Sequence, residues 1–183
     1  MFNELLEEIA RALDESAIPY MVIGGQAVLV YGEPRLTKDI DVTLGADLER
    51  LQDVLAAARR AGLSPLVDPE EFTRQTMVLP CSHAATGIRV DLIFSNSPFE
   101  RQAIARANRV KIGVTEVCFA SADDLIIHKI IAGRPRDLED VRCILLKNPA
   151  VDRKYVRRWL EEFSSALGEP FTAVFDQIAG EMQ

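Results

Sequence analysis

Asp39 and Asp41 are separated by one isoleucine in D-I-D-V-T-L, and a further aspartate, Asp91, stands in I-R-V-D-L-I-F. Side chains of an extended chain alternate between faces, so Asp39, Asp41 and Thr43 share one face while Ile40, Val42 and Leu44 take the other. The same rule sends Ile88, Val90, Leu92 and Phe94 inward and Arg89 and Asp91 outward. If the two segments pair in one sheet, three carboxylates share a face, two of them about 7 Å apart by strand rise. Two negative charges at that distance repel by about 0.6 kcal/mol in water and roughly 2.4 kcal/mol at an effective dielectric of 20. A counter-charge relieves this, and oxygen-only ligands around an open position suit Mg²⁺ or Mn²⁺ better than zinc. Such ions serve phosphoryl and nucleotidyl transfer by bridging phosphates. The plainer alternative is a solvent-facing D-x-D paired with Lys38, Arg35 or Arg89.

Gly24 and Gly25 follow the apolar run P-Y-M-V-I and precede Q-A-V-L-V-Y. That order, strand then glycine turn then helix, lets backbone N–H groups and a helix N-terminus approach a phosphate. A glycine pair alone is weak evidence, because glycine is the default wherever a turn needs positive φ.

The elements that must position these residues are legible from periodicity. Phe2, Leu5, Leu6, Ile9, Ala12 and Leu13 describe an amphipathic helix, and Leu48, Leu51, Val54, Leu55 and Ala58 another that stops at Gly62. The stretch containing Pro65 and Pro69 reads as loop. M-V-L-P-C and I-R-V-D-L-I-F are strands joined by S-H-A-A-T-G. P-F-E-R-Q-A-I-A-R-A is helical, and V-K-I-G-V-T-E-V-C-F holds one or two short strands. Ser121 and Asp124 form a capping box for a helix running to about Ala132. G-R-P-R-D breaks it, and three further helices follow, the last ending in G-E-M. The expected fold class is α+β: a mixed β-sheet with flanking helices and a C-terminal helical cluster. Residues 1–120 form the expected core, with 121–183 a helical segment packed on it.

These elements together resemble the nucleotidyltransferase superfamily typified by DNA polymerase β. V-I-G-G, a thirteen-residue spacer from Gln26 to Lys38, D-I-D-V and the later R-V-D-L-I-F each match its fingerprint. G-G-Q-A-V-L-V-Y-G-E-P-R-L-T-K-D-I-D-V is similar to a small prokaryotic branch that includes the AbiEii-type toxins of type IV toxin–antitoxin systems. The downstream H-K-I-I-A-G-R-P-R-D-L-E-D extends that resemblance to about residue 146. The resemblance implies Asp39 and Asp41 as metal ligands and Asp91 as the third carboxylate, assisting the acceptor hydroxyl. Gly24 and Gly25 are implied to cradle the triphosphate, with Arg35 and Thr37 of the R-x-T motif beside the phosphates. Lys129 is implied to face the nucleotide, and Asp140 to position it or Arg136. The implied substrate is an NTP, and the acceptor stays open among a tRNA 3′ end, a protein and a small molecule such as an antibiotic. An antitoxin partner belongs to the same implication. A non-catalytic module that binds nucleotide or a partner on the same fold is the competing reading. The chain is shorter than the better-known toxins, and no lysine stands between the carboxylate strands, where the cations are Arg50, Arg59, Arg60 and Arg74.

On periodicity alone, Lys129 beside Ile126, Ile127, Ile130 and Ile131 is a solvated lysine as readily as a functional one. Arg136 and Asp140 are spaced for a modest helix pair. His83 and His128 have no neighbours at zinc-ligand spacing. Tyr155 and Trp159 beside Arg157 and Arg158 suit inward packing better than base stacking.

Net charge is −7, divided as −8 over residues 1–100, +6 over 101–160 and −5 over the tail. The positive segment is either a set of solvated surfaces or a basic wall for a polyanion. Cys81, Cys118 and Cys143 lack metal or redox spacing and suit free thiols in a reducing compartment. The N-terminus lacks a signal-peptide pattern, and nothing approaches a membrane span. A cytoplasmic protein is the expectation.

Overall fold

The computed structural model describes residues 1–95 and 97–181. In chain order the elements are α1 (Phe2–Glu15), β1 (Tyr20–Ile23), α2 (Gly24–Tyr31), β2 (Asp39–Gly45), α3 (Leu51–Arg60), β3 (Leu63–Pro65), α4 (Pro69–Thr76), β4 (Val78–His83) and β5 (Arg89–Ser95). Then come α5 (Pro98–Ala105), β6 (Asn108–Ile112), β7 (Thr115–Phe119), α6 (Ala122–Ala132), α7 (Pro135–Lys147), α8 (Arg153–Leu167) and α9 (Phe171–Gly180). The fold is α+β with a mixed sheet, as the sequence pattern predicts. Met182, which closes the helix expected at the end of the chain, lies outside the described residues.

The chain divides into two compact units, one of residues 1–26 and 36–120 and one of residues 27–35 and 121–183. In the first, seven strands run in the order β3-β4-β5-β2-β1-β7-β6. The β2–β5 and β1–β7 neighbours are parallel and the others antiparallel. Ile40, Val42, Leu44, Val90, Leu92 and Phe94 are buried on one side of the central strands. The apolar stripes of α1 and α3 meet over Leu92 through Ile9, Ala12, Leu13, Ala57 and Ala58. At roughly 25 cal/mol per Å², burying each of the Val, Ile, Leu and Phe side chains contributes about 1.5–3 kcal/mol.

The opposite face is only partly open. α5 packs against β2, and a Cβ on Gly45 would meet Ile104 at 3.3 Å. Thr43 is buried accordingly, so the polar face of β2 narrows to the Asp39–Asp41 end. The stretch expected as loop around Pro65 and Pro69 instead holds β3 and α4. Its prolines fit because Pro69 occupies the first turn of α4, where no N–H is needed, and the Asp68 side chain caps Glu71 N–H at 2.8 Å.

In the second unit, α6 is buried on most sides through Leu125, Ile126, Ile127 and Ile130. Ser121 caps Asp124 N–H at 3.1 Å, and the Asp124 carboxylate accepts the Tyr155 hydroxyl at 2.7 Å. Gly133, at φ +64°, ends α6 in a left-handed turn, and α7 returns alongside it. The end of α7 grips the 27–35 segment: Asn148 donates to Tyr31 C=O at 2.8 Å and Lys147 to Gly32 C=O at 3.0 Å. Tyr155 and Trp159 are buried, with the Arg158 guanidinium over both rings. No helix of the described residues is long and apolar enough to cross a membrane.

Candidate functional site

β2 and β5 pair in parallel with Asp39 opposite Arg89 and Asp41 opposite Asp91. In-register residues of neighbouring strands share a face, with backbones about 4.8 Å apart. Asp41 and Asp91 are therefore closer than strand rise alone suggests, and Asp39 lies on the same face two residues before Asp41. Across the other edge of β2, Asp41 faces Ile23, the last residue of β1. The next residue begins α2.

That junction explains the first glycine. Gly24 sits at φ +64°, and a Cβ added there would lie 2.0 Å from Asp41 Oδ2. A side chain is thus disfavoured twice, by the backbone and by the carboxylate against it. The bare backbone at the head of an eight-residue helix carries N–H groups without intrahelical partners. Oriented donors of this kind suit an anion, and the oxygen-rich edge beside them suits its counter-cation.

The third carboxylate is already engaged. Arg89 Nε donates to Asp91 Oδ1 at 2.9 Å and Oδ2 at 3.2 Å. The guanidinium's proton affinity is raised first by that hydrogen bond and further by the charges of Asp91, Asp39 and Asp41. All three acids therefore act on one cation. Asp39 accepts from the Thr37 hydroxyl at 3.3 Å, so Thr37 orients a carboxylate. Among the described residues no three His, Cys, Asp or Glu side chains are gathered as a metal cage. Mg²⁺ does not require one, since it is commonly held by one or two carboxylates plus substrate phosphates and water. The hard oxygen set of Asp39 and Asp41, with backbone donors at Gly24, fits that mode.

The remaining expected residues lie in the second unit. Lys129 is 6% exposed, with its Nζ 2.7 Å from Asp137 Oδ1 and 2.9 Å from Asp140 Oδ2. A solvated lysine is thus not what the fold contains; the turn at Gly133 sets two acids of α7 against it. Arg35 Nη2 donates to Asp140 Oδ2 at 3.1 Å. Its Nε approaches Asp140 Oδ1 at 3.1 Å without hydrogen-bond alignment. Arg136 is exposed on the first turn of α7. Asp137, which motif reasoning left without a role, is the most committed acid of this cluster. Burial alone would push its carboxyl up, but hydrogen bonds from Lys129 and Arg134 bring it below the usual range. The available signal was its spacing: residues 137 and 140 share a helix face.

Comparison with known proteins adds family and fold. The model of a nucleotidyltransferase family of unknown function, DUF6036, matches residues 1–168. No curated protein matches the chain. The solution structure of the antibiotic-resistance factor ANT(2'')-Ia is similar, with a TM-score of 0.62 and 17% identity over 91% of this chain and 95% of that one. That factor in complex with adenylyl-2''-tobramycin gives 0.55 and 16% over 100% and 99%. The lincomycin-bound lincosamide adenylyltransferase LnuA gives 0.50 and 15% over 72% and 89%.

Proposed function

We propose, on the premise that the chain belongs to the DUF6036 family of nucleotidyltransferases, that it moves a nucleoside monophosphate from an NTP to an acceptor hydroxyl. The single observation that supports this most is the in-register pairing of Asp41 with Asp91, beside a Gly24 packed against the Asp41 carboxylate. Asp39 and Asp41 would hold the divalent ion, with Asp91 completing the set. When bound, Mg²⁺ or Mn²⁺ supplies charge neutralisation for the triphosphate and for the leaving pyrophosphate. Gly24 and Gly25 bind phosphate oxygens through backbone N–H groups, which orients the α-phosphorus. An Asp91 carboxylate oxygen accepts the hydroxyl proton as the acceptor oxygen bonds to that phosphorus. The bond to the bridging oxygen breaks, and pyrophosphate leaves. Within the second unit, Asp140 holds both Arg35 and Lys129.

We infer a small hydroxyl-bearing acceptor in preference to RNA. The segment with a net positive charge offers less free charge than its sequence suggests. Arg142 pairs with Glu181, Lys147 with Glu33 and Arg157 with Asp176, acids from outside the segment. The aminoglycoside and lincosamide carried by the structural neighbours belong to the favoured chemical class. A toxin role with an antitoxin partner, implied by the AbiEii-like resemblance, requires a macromolecular acceptor instead.

The test is transfer of label from α-³²P-NTPs, with Mg²⁺, to a panel of aminoglycosides and lincosamides, with total tRNA in parallel. We expect a labelled small molecule, and Asp39→Asn or Asp41→Asn to lower incorporation by at least about 100-fold, as for groups that stabilise charge at a reacting centre. Incorporation insensitive to both substitutions removes the assignment. Label in tRNA alone transfers the acceptor to the toxin reading.

A further inference from the structure

We propose that Arg89 is a resident counter-cation that occupies Asp91 until a divalent ion displaces it, and so sets the affinity of the carboxylate face for metal. The inference rests on the nucleotidyl-transfer reading for the identity of that face, but it concerns a residue to which that reading gives no task. Arg89 stands opposite Asp39 in the β2–β5 register and two residues before Asp91, which puts its side chain among all three acids. One Nε–H spans both Asp91 oxygens, at 2.9 and 3.2 Å. That bond engages one lone-pair site on each oxygen and sets the arginine's charge against the edge a metal ion would approach.

The two partners are unequally anchored. The Arg89 side chain is 56% exposed and that of Asp91 18%. Displacement therefore moves the arginine into water and leaves the carboxylate in place. A water-facing ion pair is held weakly, whereas a dication acts on the same carboxylates with twice the charge. Once Arg89 is displaced, one divalent ion leaves the three acids with less net negative charge than the arginine does. In-register carboxylates on adjacent strands repel, so a face built only of acids would be strained without metal. Arg89 removes that strain, and it weakens metal binding as the consequence.

The experiment is Mn²⁺ titration followed by electron paramagnetic resonance, which reads free aquo-ion and requires no acceptor. Wild type, Arg89→Gln, Asp91→Asn and the double variant are compared, with Asp41→Asn marking the site. Because Arg89 is exposed, Arg89→Gln should fold, and thermal melting confirms it. We expect Arg89→Gln to bind Mn²⁺ about 3- to 10-fold more tightly, the size of one screened charge near a dication. The gain should vanish in the Asp91→Asn background. Equal or weaker binding by Arg89→Gln, or a gain that survives Asp91→Asn, overturns the proposal. Wild-type binding lost in Asp41→Asn but unchanged in Arg89→Gln overturns it while leaving the transferase reading intact. No Mn²⁺ bound by any variant overturns the proposal, and the transferase reading falls with it only if a non-hydrolysable NTP also fails to bind in the presence of Mg²⁺.

Discussion

Gly24→Ala perturbs the junction of β1 and α2 where phosphate and carboxylate chemistry are proposed to meet. An alanine at φ +64° costs about 1–2 kcal/mol in the left-handed region, less about 0.4–1 kcal/mol recovered from the stiffer unfolded chain. The new methyl would begin 2.0 Å from Asp41 Oδ2, and protein Cβ atoms essentially never come within 3.0 Å of a neighbour. The carboxylate must therefore retreat by about 1 Å, and an off-rotamer aspartate adds about 0.5–1.5 kcal/mol. The expected total is about 2 kcal/mol, or roughly 4–8 °C in Tm for a chain of this size. Urea unfolding of wild type, Gly24→Ala, Asp41→Ala and the double variant separates the two parts. In the Asp41→Ala background the carboxylate clash is removed and only the tight 3.1 Å approach to the residue-41 Cβ remains, so Gly24→Ala should cost about 1 kcal/mol less. Transfer activity should fall about 100-fold, the effect of a group misplaced by about 1 Å. Equal cost in both backgrounds would refute the claim that Asp41 packs on the bare glycine.

Lys129→Met keeps volume but leaves Asp137 and Asp140 facing an apolar chain. With Arg134 and Arg35 still in contact, we expect a loss of about 3 kcal/mol by urea unfolding, the low end for breaking a buried pair; a loss below about 0.5 kcal/mol would show the pairs to be idle. The Asp137 carboxyl is held below its usual range, so its contribution is fully present above the unfolded value near 3.9 and fades as pH falls through the lower folded value. Wild type should therefore lose urea resistance more steeply than Asp137→Asn below about pH 4, and parallel curves would contradict this. The Cys81 thiol is pushed up to about 12, first by burial and then by the Asp91 charge. It should resist a maleimide in the native protein at pH 7.5 and react once unfolded, and rapid native labelling assigned to Cys81 by mass spectrometry would contradict its burial.

Much of the carboxylate face was legible because strand alternation is a strict rule. D-I-D and R-V-D each declare a polar face, and only their pairing had to be supplied by the fold. Gly24 was readable as a turn but not as the seat of a carboxylate, since the contact arises from a register between β1 and β2 that no local pattern encodes. Lys129 was ambiguous for a similar reason. Its burial depends on a chain reversal at Gly133 that brings two acids from eight and eleven residues later. Around Pro65 and Pro69, two prolines suggested loop, whereas the Asp68 cap and a proline at the helix start gave α4. The positive charge of residues 101–160 misled in a different way, because sequence counts charges and the fold pairs them.

Binding of a non-hydrolysable α,β-methylene NTP, measured by isothermal titration with and without Mg²⁺, tests the central claim without an acceptor. Tight binding that depends on Mg²⁺ and is lost in Asp39→Asn and Asp41→Asn is the result expected. Binding unchanged by metal removal and by both substitutions would mean that the carboxylate face is not where the nucleotide is held.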